Sequence, residues 1–119
     1  MVKLQPKQYH TAKPFHSKLV KYREEYQEYL LLEKSDGTAV SHSDIIHAFI
    51  NYLFGYHLVA SFDQITVAMV NSGFQAHYKS QYKENVSKES MKKILKGFFV
   101  FVYGKYGIKN ERVMRGLER

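Results

Sequence analysis

A chain of 119 residues with 45% hydrophobic content, ten Tyr and eight Phe carries enough apolar material for one packed domain and too little for two independent cores. It has no cysteine, which excludes disulfides, thiolate metal sites and cysteine nucleophiles and is compatible with a reducing, cytoplasmic location. The net charge of +7 is unevenly spread: residues 1–21 hold five Lys and no acid, residues 22–78 hold Arg23 and Lys34 against seven acids, and residues 79–119 hold eleven Lys/Arg against four acids. Segregated positive charge of this kind points to a polyanion-facing surface. No signal peptide is expected, because Met1 to His10 are polar and basic. No membrane span is expected either: the longest apolar run, Gly97 to Tyr103, falls far short of the roughly 20 residues required.

In chain order, residues 1–16 contain Pro6 and Pro14 among Lys, Gln and Thr and read as a flexible basic arm. A helical domain is expected over 17–119, all-α, with four to five helices in a compact bundle and a basic C-terminal tail. From Ser17 to Lys34, Leu19, Tyr22, Tyr26, Tyr29 and Leu30 recur at three- and four-residue steps, the stripe of a first helix. Ser35 to Thr38 breaks it, with Gly37 suited to a left-handed C-cap. Ser41, with Asp44 three residues on, is expected to cap a second helix carrying Ile45, Ile46, Phe49, Ile50, Leu53 and Phe54, limited by Gly55.

His57 to Phe62 reads as a connector. Asp63 or Thr66 could cap a third helix with Val67, Val70, Phe74 and Tyr78 inward, and Gly73 inside it argues against regularity. Lys79 to Val86 is a polar break. Ser87 then caps a fourth helix that buries Met91, Ile94, Leu95, Phe98, Phe99 and Val102, with Gly104 and Gly107 at its end. The run from Phe99 to Val102 could also be a strand, but the 3.6-residue period before it favours helix.

Catalytic and metal chemistry find little support. The six histidines (His10, His16, His42, His47, His57 and His77) form no H-E-x-x-H pattern and no i,i+4 pair, so no metal ligands are expected. Glu24, Glu25 and Glu28 read as the solvated face of the first helix. No phosphate loop and no G-x-S-x-G elbow occurs, and neither catalytic residues nor a cofactor are expected. Ten tyrosines could stack on unpaired bases, although Tyr22, Tyr26 and Tyr29 have the spacing of core residues. The strongest signal is on the fourth helix, where Lys88, Lys92, Lys93 and Lys96 lie away from Met91, Leu95 and Phe98, and Lys105, Lys109, Arg112, Arg115 and Arg119 continue the charge. Lysines in this arrangement suit phosphates rather than base edges.

The order of these segments resembles the core-binding domain that precedes the catalytic domain in the tyrosine recombinase (phage integrase) family. The resemblance is carried by KLVKYREEYQEYLLLEK, SHSDIIHAFINYLFGYH, FDQITVAMVNSGFQAHY and SKESMKKILKGFFVFVYGKYGIKN, covering about residues 17–117. It implies a SAM-like orthogonal bundle that grips duplex DNA with its second and fourth helices and can meet other recombinase protomers. The implied DNA-binding residues are Ser41, Ser43, His47 and Asn51 on the second helix, and Ser87, Lys88, Lys92, Lys93 and Lys96 on the fourth. Two departures stand out. Glu111 follows Asn110 where the family has Pro, and no His is followed three residues later by Arg, so the family's Arg, His-x-x-Arg and Tyr catalytic set cannot be assembled. The expected function is a non-catalytic duplex-DNA-binding module of a recombinase or integrase, either an excised domain or an accessory protein of a mobile element. The alternative is a helical protein-interaction or regulatory domain of a phage, plasmid or transposon protein.

Overall fold

The computed structural model describes residues 6–82 and 86–118. The chain is all-α, with five α-helices and no strand among the described residues. It divides into two compact units, Met1–Gln64 and Ile65–Arg119.

Unit 1 is built on two helices packed along one another, α1 (Pro6–Glu33) and α2 (Asp36–Tyr52). Residues 6–16, expected as an arm, belong to α1; residues 1–5 of that arm lie outside the described residues. Pro6 opens the helix, where a missing N–H is harmless, whereas Pro14 sits inside it. The helix continues through Pro14 because its apolar stripe starts earlier than the first periodic run: Ala12 and Phe15 are buried in line with Leu19, Tyr22, Tyr26 and Leu30. Two aromatic contacts hold that segment, Phe15 edge-on to Phe62 at 6.3 Å and His16 tilted over Phe54 at 4.4 Å. Burial pushes the Tyr26 hydroxyl up to about 12, with Tyr29 adding to the shift. Tyr29 itself, expected inside, is exposed.

The break after α1 works as a start signal for α2. Ser35 Oγ accepts from the Thr38 N–H at 3.2 Å and donates to Thr38 Oγ1 at 2.8 Å, so α2 begins at Asp36, five residues ahead of Ser41. Gly37 accordingly lies in its first turn and is no left-handed cap. Beyond Tyr52 the helix widens into a π-turn, Leu53–His57, which takes in Gly55 and ends at Leu58 in the left-handed region (φ 46°, ψ 47°). His57 Nε2 and the Tyr52 hydroxyl are bonded at 3.0 Å across this turn, and the buried Leu58 side chain anchors its end.

In unit 2, Thr66 Oγ1 accepts from the Met69 N–H at 3.2 Å and starts a helical segment at Val67. A π-turn over Met69–Gly73 interrupts it, and α3 (Phe74–Tyr82) follows. The irregularity expected at Gly73 is therefore present, and Ser72 Oγ, donating to the Ala68 carbonyl at 3.1 Å, sits within it. Of the polar break from Lys79 to Val86, residues 83–85 lie outside the described residues, and Lys79 to Tyr82 extend α3.

Helix α4 (Lys88–Tyr106) follows the sequence expectation closely. Ser87 Oγ accepts from the Ser90 N–H at 3.1 Å, all six expected apolar residues are buried, and Gly107 (φ 69°) caps the end by donating to the Tyr103 carbonyl at 2.9 Å. The basic tail is a helix as well, α5 (Glu111–Glu118), held by buried Val113 and Leu117; Arg119 lies outside the described residues.

Candidate nucleic-acid interface

The boundary between the units is also a boundary of charge. Residues 1–64 contain seven Lys/Arg and seven Asp/Glu, whereas residues 65–119 contain eleven and four, so the net +7 of the chain belongs to unit 2. Two helices of that unit bring its cations together. On α4, Lys88 and Lys93 are exposed and Lys92 and Lys96 are half-buried, because inward Met91, Leu95, Phe98 and Phe99 fix the helix phase. On α5, Val113 and Leu117 point inward at i,i+4 and leave Arg112 and Arg115 on the exposed side.

The position of α5 is set by two close approaches. Asn110 Oδ1 accepts from the Val113 N–H at 3.1 Å and caps the helix, while Asn110 Nδ2 donates to the Ile65 carbonyl at 2.9 Å. At the other end Asn71 Nδ2 donates to the Gly116 carbonyl at 3.2 Å, and a Cβ on Gly116 would stand 2.6 Å from Val67 Cγ1. Glycine is needed there for α5 to lie so close.

The result is an open cleft of about 470 Å³ lined by Val67, Asn71, Lys92, Arg112, Arg115 and Gly116. Its charged lining residues are all cationic. A second cleft, about 280 Å³, is lined by Glu89, Lys92, Lys93, Lys96, Leu117 and Glu118. Lys92 thus lines both clefts. Acids temper the surface at its edges, where Lys96 Nζ lies 3.6 Å from Glu118 Oε1 and Arg115 Nη2 lies 3.3 Å from Glu111 Oε1. Guanidinium and ammonium groups around an open cleft supply hydrogen-bond donors and positive charge, the chemistry of a phosphate seat. Among the described residues no group of His, Asp and Glu is arranged to hold a metal ion.

The expected residues divide accordingly. Lys88, Lys92, Lys93 and Lys96 share one helix face. Ser87 is exposed, but its hydroxyl is occupied in capping α4. Ser41, His47 and Asn51 lie on the exposed side of α2 in unit 1, and Asn51 Nδ2 donates to His47 Nε2 at 3.2 Å. Ser43 does not join them: it is completely buried in line with Ala39, Ile46 and Ile50, and its Oγ accepts from Arg23 Nη1 at 2.9 Å. The reason is helix phase: Ser43 lies three residues before Ile46 and seven before Ile50, and the stripe continues back to Ala39 because α2 starts early. In the sequence Arg112 and Arg115 read only as tail charge; Asn110 as a cap before Val113 and Leu117 at i,i+4 is the signal that marks their helix.

Two histidines of unit 1 are displaced from their ordinary value. Burial holds His57 below its ordinary value, and burial with the neighbouring Lys34 charge does the same for His42. Among the described residues no helix is long and apolar enough to cross a membrane. No family model, no curated protein and no solved structure matches the chain.

Proposed function

We propose that the chain is a non-catalytic module that binds double-stranded DNA, chiefly through unit 2. The observation that carries this reading is the convergence of Lys92, Arg112 and Arg115 on one open cleft, flanked by Lys88, Lys93 and Lys96. Binding of this kind draws its free energy from counterions released by the phosphates and weakens steeply with salt. Ser41, His47 and Asn51 are candidate additional contacts from α2. The resemblance to the core-binding domain of tyrosine recombinases supplies the context: a cytoplasmic DNA-recombination or DNA-integration protein of a mobile element, meeting other recombinase protomers on the DNA, with strand cleavage left to residues this chain does not contain.

The test is fluorescence anisotropy of a labelled duplex titrated with the protein at several salt concentrations. Lys92→Ala with Lys96→Ala, and separately Arg112→Ala with Arg115→Ala, are expected to weaken binding on every duplex sequence and to lower the salt slope by about one for each phosphate no longer neutralised. Helical circular dichroism should be retained. Variants that bind as tightly as the unaltered chain sink the assignment.

A second reading rests on unit 1, where Tyr29, Leu31, Leu32 and Val40 are exposed around the turn between α1 and α2, Leu32 at 87%. Exposed apolar residues in such a group suit a protein partner. Association insensitive to moderate salt and abolished by Leu32→Ser favours that reading over DNA.

A further inference from the structure

Unit 1 holds as many acids as bases, yet along α1 they are sorted by sign. Residues 6–23 of the helix contain five Lys/Arg and no acid, and residues 24–33 contain four Glu and no base. Bases interleaved with acids at i,i+4 would stabilise the helix, whereas in these two blocks only Lys21 and Glu25 are oppositely charged at that spacing. The order also opposes the helix dipole, with Lys7 in the first turn and Glu33 in the last. Helix stability therefore does not account for the arrangement.

The basic block faces outward. Lys13, Ser17 and Lys21 follow at four-residue steps with Lys18 beside them, and all four are exposed, while Phe15, Leu19 and Tyr22 hold the opposite side in the core. From Lys13 to Lys21 the strip runs about 12 Å, over which one strand of a duplex passes about three phosphates. The Arg23–Ser43 bond and the His16–Phe54 contact set residues 16–23 of α1 beside residues 43–54 of α2. Past Asp44 the chain has no acid until Asp63, and His47 and Asn51 are exposed on that stretch of α2. Among residues 10–28 no large apolar side chain is exposed, so the strip lacks what a helix needs to enter a lipid surface. Lysine ammonium groups in such a row suit phosphates whatever the bases between them.

We propose that the basic half of α1, carried by Lys18 and Lys21, is a second surface for the DNA backbone, so that each unit contributes its own phosphate contact. The proposal rests on the reading that the chain binds duplex DNA, and it gives unit 1 a part in that binding which does not depend on the cleft of unit 2.

The experiment has two readouts on the full chain. In the first, a labelled duplex is titrated over a range of salt concentrations. Lys18→Gln with Lys21→Gln should weaken binding several-fold and lower the salt slope by about two, for two phosphates no longer neutralised, with helical circular dichroism retained. Arg112→Ala with Arg115→Ala should act independently, so that the fourfold variant loses the sum of both effects. Lys34→Gln, a charge removed from the acidic end of the same unit, should leave the slope unchanged. In the second, lysines are acetylated with and without saturating duplex and read by mass spectrometry. Lys18 and Lys21 should be protected by the duplex while Lys34 stays reactive. Equal acetylation of Lys18 and Lys21 in both samples overturns the proposal, as does a salt slope unaltered in their Gln pair. Protection by phosphatidylserine vesicles and not by duplex overturns it as well. Loss of binding in the arginine pair alone leaves the cleft of unit 2 in place and rejects only the surface on α1, whereas an unaltered chain that does not bind duplex rejects both.

Discussion

Arg23 Nη1 donates a 2.9 Å hydrogen bond to Ser43 Oγ and ties α1 to α2 between positions twenty residues apart. Ser43 is completely buried, and Arg23 is half-buried with its Nε lacking a hydrogen-bond partner. A bond from a charged donor to a buried acceptor contributes about 1.5–3 kcal/mol. Ser43→Ala is expected to lower the unfolding free energy in urea by about 2 kcal/mol, within that range, and to leave DNA affinity and its salt slope untouched. Unchanged stability with weakened DNA binding would return Ser43 to the interface.

Gly116→Ala tests the seat of α5. The added methyl meets Val67 Cγ1 at 2.6 Å and Cγ2 at 3.1 Å, and a β-branched side chain has little rotamer freedom with which to yield. Overpacking of this kind costs about 1–3 kcal/mol, offset by up to about 1 kcal/mol of gained helix propensity. A lower melting temperature is expected, with weaker DNA binding as Arg112 and Arg115 shift away from Lys92. Adding Val67→Ala should recover part of both losses. A double variant less stable than Gly116→Ala alone contradicts the steric account.

The acids at the rim provide a prediction of opposite sign. Glu118 lies 3.6 Å from Lys96, and Glu89 lines the same cleft. Glu118→Gln with Glu89→Gln removes two negative charges from the path of a phosphate, so DNA affinity should rise several-fold at low salt and by less at high salt. Glu118 stands at a helix C-terminus, where a negative charge is unfavourable, whereas Glu89 stands in the first turn of α4, where it is favourable, so the double variant should lose no more than about 1 kcal/mol of stability. Affinity that falls on this substitution is incompatible with phosphate binding at Lys92, Lys93 and Lys96.

Stability should also depend on pH through His42 and His57. Both are held below 6.5 in the folded chain, by burial first and for His42 by Lys34 as well. The unfolded chain then takes up protons that the folded chain refuses, so their contribution is whole above 6.5 and is lost as pH falls from 6.5 through their folded values. Urea midpoints measured over this interval should drop with falling pH, and His42→Gln with His57→Gln should flatten the slope. A slope unaltered in the double variant assigns the effect to other groups.

Much of this architecture is written locally. Helix α4 is legible because every signal agrees: a Ser87 cap, six apolar residues at helical steps and Gly107 at the end. The start of α1 is less so, since Pro14 reads as a breaker and only the packing of Phe15 and His16 outweighs it. Ser35 carries the features of a cap, yet Gly37 two residues later has an equal claim as a terminator; taking Ser41 as the start of α2 leaves out Ala39, the residue that extends the buried stripe past Ser43. The π-turns at Leu53–His57 and Met69–Gly73 shift the helix phase in a way that a constant 3.6-residue period does not represent. For the interface, the lysines of α4 follow from periodicity. Their meeting with Arg112 and Arg115 does not, because it depends on an eight-residue helix stabilised by tertiary packing.

The two bonds that seat α5, Asn110 to Ile65 and Asn71 to Gly116, each span 45 residues. Closing a loop of that length costs about 3 kcal/mol of chain entropy, and a helix as short as α5 does not persist in water by itself. Docking of α5 is therefore expected to follow that of the helices it packs on, an order that φ-values at Val113 and Leu117 would check. Arg112 and Arg115 reach Lys92 only once that step is complete, so a partly folded chain keeps its charge but lacks its cleft. Affinity for phosphate then serves as a kinetic clock, timing that docking separately from the growth of helix content.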